Sequence, residues 1–338
     1  MSQLFKTAAV FTDIHLGLRQ NSKLHNEDCE RYIEWFISEA KKRDAETCIF
    51  MGDFHHHRNS INIHSLNTSV RICKRLSESF DNIYFITGNH DLFFRDKRDL
   101  NSFEYVREFK NFTIVDEVFE KDNVAIVPWL VGDEWKQVSK VKAKYVFGHF
   151  ELPYFKMNAM IEMPDHGGLN ASMFKHSEYV FSGHFHKRQK QNIVHYIGNC
   201  FPHDYSDVDD NERGCMMLSW GGEPEYLDWA DCPKYRIVML SDLIDNHSKY
   251  LDEYTYAKVK LDINISYEEA NFVREEFAKL YNVRDMQLLP VAKESEESMG
   301  HDIKFESVDQ IVISQLSTIE SQSFDKNKLI DIYRGLDI

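Results

Sequence analysis

The sequence predicts an α/β protein: an αββα sandwich in which two mixed sheets face each other between layers of helix. Three observations carry this reading. The first part of the chain alternates short apolar, β-branched runs with amphipathic helical stretches, the pattern of βαβ layering. From Asn111 on, the helices give way to short strands divided by turns, which reads as a second sheet packed on the first. Five of the expected strands stop at residues with metal-ligand chemistry, as in open α/β sheets that gather ligands beyond the carboxyl ends of their strands.

Taken in order, a strand is expected over 7–12. A helix follows over 27–43, with Tyr32, Ile33, Trp35, Phe36 and Ala40 as its buried stripe. Next come a strand over 46–51, a helix over 63–80 carrying Leu66, Val70, Ile72, Cys73 and Leu76, and a strand over 82–87. The second sheet draws on short strands at 112–115, 118–120, 124–127, 144–147, 179–182, 193–197, 215–220 and 224–227. Beyond Cys232-Pro233 the texture shifts again. Strands at 236–240, 257–263 and 283–289 surround a helix opened by the capping box Ser266-Tyr-Glu-Glu269, with Phe272, Val273, Phe277, Leu280 and Tyr281 apolar. That is a small α+β unit. A polar, acidic stretch then leads to two amphipathic helices, one with Val308, Ile311, Val312, Leu316 and Ile319, the other with Phe324, Leu329, Ile332, Tyr333 and Leu336. The resulting division is 1–231, 232–292, a linker at 293–305 and a helical pair at 306–338.

Composition narrows the function. The chain has 338 residues and a net charge of −15, which disfavours gripping nucleic acid through a basic face of its own. It leaves room for an enzyme whose metals meet the phosphates and whose partner supplies the rest. Six scattered cysteines form no Cys-x-x-Cys pair, so free thiols in a reducing cytoplasm are expected. No apolar run is long enough to span a membrane, and the amino terminus has no basic stretch followed by an apolar one. A cytoplasmic protein is expected.

The strand ends hold the chemistry. The strand at 46–51 ends in Gly52-Asp53, where a carboxylate can bridge two ions. The others end in Asp13-Ile-His15, Gly88-Asn89-His90-Asp91, Gly148-His149 and Gly183-His184-Phe-His186. Glycine at four of the five lets the backbone turn sharply and an ion approach. Asp13, His15, Asp53, Asn89, His149, His184 and His186 mix carboxylate, imidazole and amide oxygen, a set suited to manganese, iron or zinc. Seven donors are too many for one tetrahedral ion and suit two ions sharing a carboxylate.

In this order the motifs D-x-H, G-D, G-N-H-D, G-H and G-H-x-H resemble the calcineurin-like metallophosphoesterase superfamily, over roughly the first two-thirds of the chain. Phosphatases of that superfamily resemble G-D-x-x-D-R-G at the second motif and G-N-H-E at the third. Here the second reads Gly52-Asp-Phe-His-His-His-Arg58-Asn59 and the third ends in Asp91. A histidine three residues after the bridging aspartate is similar instead to the SbcD group of DNA double-strand-break repair nucleases and their phage recombination-endonuclease relatives. The unit after residue 232 resembles their DNA-capping domain. The terminal helices resemble the segment that docks such nucleases on an SbcC-type, SMC-like ATPase.

The resemblance implies two divalent ions, manganese first, with magnesium, iron or zinc as alternatives. Asp13, His15 and His186 would hold one ion, Asn89, His149 and His184 the other, and Asp53 both. His90 would stabilise charge on the phosphate or protonate the leaving 3′ oxygen. His56, or His55 in the alternative register, would position the phosphate. Arg58, Lys187 and Arg188 are candidates for DNA contact, and a homodimer through the nuclease domain is implied. His57 and His64 read as solvated or structural, and His166, His176, His195 and His203, which follow no strand–glycine pattern, are given no role. Three function classes remain: a metal-dependent DNA exonuclease or endonuclease acting with an ATPase in recombination, repair or replication; a phosphoprotein phosphatase or cyclic-nucleotide phosphodiesterase on the same metal pair; and a non-catalytic scaffold for the ATPase.

Overall fold

The structure is a computed structural model that describes residues 3–157, 161–208, 210–290 and Lys328. The expected linker and helical pair lie, Lys328 apart, outside the described residues.

Twelve strands build two six-stranded sheets. They are β1 (Thr7–Phe11), β2 (Thr47–Phe50), β3 (Asn82–Ile86), β4 (Phe112–Val115), β5 (Phe119–Lys121), β6 (Val124–Val127), β7 (Tyr145–His149), β8 (Tyr179–Gly183), β9 (Gln189–Gln191), β10 (Val194–Tyr196), β11 (Gly214–Ser219) and β12 (Glu225–Asp228). The first sheet runs β12-β11-β1-β2-β3-β4, the second β5-β6-β7-β8-β10-β9. In the first, β1 to β4 are parallel and β11 and β12 antiparallel; in the second, β6, β7, β8 and β10 are parallel between antiparallel edges. All the motif-bearing strands therefore point the same way within their sheets and deliver their ends to one rim.

The period-two alternation of a strand explains the layers. In β1, Ala9 and Phe11 face a core shared with the Lys23–Lys41 and Ile63–Ser77 helices, while Ala8 and Val10 face the other sheet. Ile49, Met51 and Ile86 meet Ile126, Phe147 and Phe181 between the sheets. The outer face of the second sheet, with Val127, Val146 and Val180, is covered by Phe150, Leu152, Phe155 and Phe174 from loops and short helical turns. The expected two-sheet sandwich is observed, but the strands at 112–115, 215–220 and 224–227, expected in the second sheet, are β4, β11 and β12 of the first, where β4 pairs with β3 and β11 with β1.

Two helices differ in detail from the sequence reading. The first begins four residues earlier than expected, at Lys23, because Ser22 caps it by accepting from His25 N–H at 3.3 Å. The second presents Ile72, Cys73 and Leu76 to the core together with the small polar residues Ser65, Thr68 and Ser69. Leu66 and Val70 of the expected stripe are instead 37% and 41% exposed, beside Ile63 at 78%. Hydroxyls that bond the helix's own carbonyls, as Ser69 does to Leu66, hide a buried face from a hydrophobicity count.

Past residue 232, β13 (Lys234–Met239), β14 (Thr255–Leu261) and β15 (Asp285–Pro290) form a three-stranded parallel sheet. The Leu240–Tyr250 and Tyr267–Tyr281 helices connect its strands. The capping box at Ser266 is formed in both directions. The helix at 240–250 was not legible in the sequence: it buries only Leu240 and Leu243 and is kinked at Asn246. A basic–aromatic seam fastens this unit to the sandwich. Arg284 makes a two-pronged ion pair with Asp28 of the first helix at 2.5 and 2.7 Å, Arg19 lies over Tyr235 and Tyr256, and Arg31 over Tyr254.

Candidate metal centre

The expected ligands converge at the rim where the two sheets meet, carried on backbone that ordinary residues avoid. Asp13, His15, Asp53 and His184 all have positive φ, between 49° and 85°. Strain of this kind persists only where surrounding contacts over-determine it. Two glycines are required by close approach. A Cβ on Gly52, itself at φ 100°, would lie 2.5 Å from His149 Nδ1, and one on Gly88 would lie 2.2 Å from Asp53 Oδ1.

On one side stand Asp13, His15 and His186. Asp13 is fully buried; its Oδ2 accepts from Thr12 Oγ1 at 2.6 Å and His184 N–H at 3.0 Å, leaving Oδ1 turned toward the imidazoles. His15 Nε2 and His186 Nε2 each lie 3.9 Å from that Oδ1, and His15 Nε2 is 3.6 Å from Asp53 Oδ2. Buried His15 Nε2 has no hydrogen-bond partner. Burial pushes the His15 imidazole well below its ordinary pKa, so it presents a lone pair.

On the other side stand Asn89, His149 and His184. Asn89 Oδ1 is 3.0 Å from both His149 Nε2 and His184 Nδ1. His149 Nε2 is 3.5 Å from Asp53 Oδ2, the same oxygen that faces His15. Both rings are held from behind: His149 Nδ1 sits 2.6 Å from the Met51 carbonyl, which can only accept, and His184 Nε2 is 3.5 Å from Glu151. Such outer partners fix the tautomer and orientation of a metal-bound imidazole. Burial works to raise the Asp53 carboxyl, but His149, His15 and His90 hold it well below the usual carboxylate range. Burial likewise lowers His149, yet Asp53 overrides it and raises the imidazole to about 9.

The donor set fits two divalent ions. Adjacent donors about 2.1 Å from a shared ion lie roughly 3–3.5 Å apart. On the Asn89 side the separations of 3.0 to 3.5 Å match that spacing; on the Asp13 side they are 3.6 to 3.9 Å, a few tenths wider, and His15 Nε2 is left partnerless.

His90 lies next to these donors: one donor atom from each of His90, His15 and His56 lies within 4.8 Å of the others. Its backbone N–H donates to Asp53 Oδ1 at 2.8 Å, and its Nδ1 donates to the His56 carbonyl at 2.7 Å, which turns Nε2 outward. The rings of His90 and His56 stack at 5.4 Å, and His56 Nδ1 is 3.5 Å from His15 Nδ1. In the triple histidine, His56 stacks beside His90 and near His15, whereas His55 does not. His55 is buried against Ser102 Oγ at 2.8 Å and Phe54.

The three basic candidates divide. Arg58 is half-buried, and burial with the neighbouring Arg95 guanidinium lowers its pKa. Lys187 pairs with Asp210 at 3.4 Å. Arg188 is committed to Asp228 at 2.7 Å, the Ile197 carbonyl and the face of Tyr226, a structural seat rather than a free hand for DNA.

Sequence reading missed three residues here. Asp91 accepts from the N–H groups of Asp53, Phe54, His55 and Gly88, and so fixes the loop carrying the bridge. Burial and Asp53 push its carboxyl up to about 7, against the pull of the backbone donors. Glu151, two residues past His149, backs His184, with its pKa lowered by that contact. His203, given no role from the sequence, joins His15 and His186: one donor atom from each of the three lies within 4.8 Å of the others. No spacing signal marks it, because it follows no strand.

The family model of the calcineurin-like phosphoesterases matches residues 6–188, more than half of the chain. The protein is a calcineurin-like phosphoesterase. Exonuclease subunit 1 of Enterobacteria phage T4 is 27% identical over 216 residues, which cover 61% of this phosphoesterase and 62% of the phage protein. Solved structures similar to it include the Pseudomonas putida nuclease MPE, at 19% identity over 58% of this chain and 70% of that one, TM-score 0.30. A dimetal phosphatase from Danio rerio follows at 10% identity over 64% and 93%, TM-score 0.41. The resemblance drawn from the motifs thus identified the family correctly. Among the described residues no helix is long and apolar enough to cross a membrane, and all six cysteines are buried and unpaired.

Proposed function

We propose that this phosphoesterase is a DNA nuclease, hydrolysing phosphodiester bonds at DNA ends as the nuclease subunit of an SbcCD-like complex. The observation that carries the reading is the position of Asp53 Oδ2 between two donor sets, with His90 anchored beside it. Asp13, His15 and His186 would hold one ion, Asn89, His149 and His184 the other, and Asp53 both. Two bound ions, manganese by preference, would clamp the scissile phosphate, lower the pKa of the attacking water and stabilise the leaving oxygen. With Nδ1 fixed on the His56 carbonyl, Nε2 is the His90 nitrogen left to stabilise charge on the phosphate or protonate the leaving 3′ oxygen. His56, stacked on it, keeps that ring in place. Arg58 supplies positive charge at the same rim, while Lys187 and Arg188 are engaged by Asp210 and Asp228.

Similarity to the exonuclease subunit of a phage supports the choice of DNA over a phosphoprotein or a cyclic nucleotide, as does the absence of the phosphatase second motif. The complete donor set speaks against a spent scaffold. The segment at 306–338 supplies the ATPase contact in this reading, so its deletion abolishes ATPase binding while metal uptake persists. The exposed row Ile63, Leu66 and Val70 on one helix supports a homodimer through the nuclease domain. The test of the function is a substrate panel with Mn²⁺: linear duplex DNA, a small phosphodiester and a phosphopeptide. Degradation of DNA, abolished by chelator, is expected. Turnover of the phosphopeptide with DNA left intact would transfer the site to the phosphatase class.

A further inference from the structure

His203 packs against Phe201 at 5.4 Å, but its other ring neighbours are histidines of the candidate metal centre and His25. It is 3% exposed, and its Nε2 is buried without a hydrogen-bond partner. A buried polar atom left unpaired is costly, so such groups normally find a partner. The ring stands edge-on to His15 at 5.4 Å, to His186 at 5.2 Å and to His25 at 5.6 Å. His15 Nε2 is the other partnerless nitrogen of this group.

The backbone of His203 is built to hold that position. Its N–H donates to Asp207 Oδ2 at 2.8 Å, and Asp207 is fixed by the fully buried Arg213 at 3.1 Å. Its carbonyl accepts two hydrogen bonds from Arg19, at 2.9 and 3.2 Å. Arg19 is in turn sandwiched on Tyr235 and Tyr256 of the small α+β unit, at 4.8 and 4.4 Å. A side chain clamped from both sides of its own peptide, with its ring aimed at two metal-ligating histidines, is placed for a purpose that packing does not require.

We infer that His203 is a further protein ligand of the ion held by Asp13, His15 and His186, so that this ion has one more protein donor than its neighbour. The inference rests on the two-ion reading given under Proposed function. It makes the two ions unequal: four imidazole and carboxylate donors besides the bridge on one side, three donors on the other.

The test is calorimetric titration of the metal-free full chain with Mn²⁺, comparing wild type with His203→Phe and His203→Gln. Thermal melting in chelator reports the fold of each variant. The wild type should take up two ions. The variants should hold one ion as the wild type does and the other about tenfold or more weakly, at least the loss seen when a supporting partner is removed. Co²⁺ in place of Mn²⁺ separates a ligand from a positioning residue, because loss of a nitrogen donor changes the visible absorption of the weakened site. Unchanged affinities with coincident Co²⁺ spectra overturn the assignment of His203 alone. A wild type that binds fewer than two ions overturns the two-ion reading and this inference with it.

Discussion

The backbone N–H of Asp53 donates to the Asp91 carboxylate at 2.8 Å, and three further backbone N–H groups share that carboxylate. Asp53, the bridge proposed above, is thus held in place by a carboxylate that is not itself among the proposed ligands. Asparagine at position 91 would turn an amide N–H₂ toward donors that need an acceptor. Hydrogen bonds to a charged group contribute roughly 1.5–3 kcal/mol each, so Asp91→Asn should lose about 3 kcal/mol of stability. It should also weaken both metal sites. Denaturant unfolding and metal titration check this; wild-type values in both would contradict the role.

Asp53→Asn and His15→Ala should differ in kind. One oxygen of Asp53 faces imidazoles on both sides, whereas His15 faces only one set. Asp53→Asn should lose both ions and His15→Ala chiefly one, read as metal stoichiometry after gel filtration. Equal stoichiometries would remove the bridge.

The seam to the α+β unit predicts a third result. Arg284 and Asp28 are both nearly buried, and breaking a buried pair from one side costs about 3–5 kcal/mol. Arg284→Met should fall near the lower end, because Asp28 keeps Arg31 at 2.9 Å. Asp28→Asn combined with Arg284→Met should be less destabilising than the two single losses added together. A strictly additive double mutant would mean that the pair does not couple the two units.

The pH dependence has a definite sign. Burial lowers His195 from the ordinary 6.5 to about 4, with Lys190 adding to the effect and Glu223 opposing it. Its Nδ1 meets Tyr226 hydroxyl at 2.6 Å, tying β10 to β12 of the other sheet. In this window the unfolded chain binds the proton that the folded chain refuses, so stability is present above pH 6.5 and is lost as pH falls toward 4. His195→Gln should narrow the difference between urea midpoints at pH 7 and pH 5. An unchanged difference would show that His195 does not titrate in folding.

What the sequence made legible follows from local physics. Strand ends at Asp13, Asp53, Asn89, His149 and His184 could be read because each motif follows an apolar run and most carry the glycine that the close approach demands. The capping box at Ser266 is a local signal and is formed as read. The buried polar face at Ser65, Thr68 and Ser69 defeated a count of apolar residues, as did the short helix at 240–250. Asp91, Glu151 and His203 escaped because their roles depend on residues distant in sequence, such as His203 on Arg19 through a span of 184 positions. Only the folded chain brings those together.

The most direct test of the account is cleavage of linear duplex DNA with Mn²⁺ by His90→Ala, with bound metal measured in the same sample. His90 is held by Asp53 and by the His56 carbonyl and is proposed to act on the leaving group rather than as a ligand. The account predicts two ions bound as in the wild type and cleavage slowed by about a hundredfold or more, the range of general acid catalysis. A variant that cuts DNA at the wild-type rate, or that loses its ions, would contradict it.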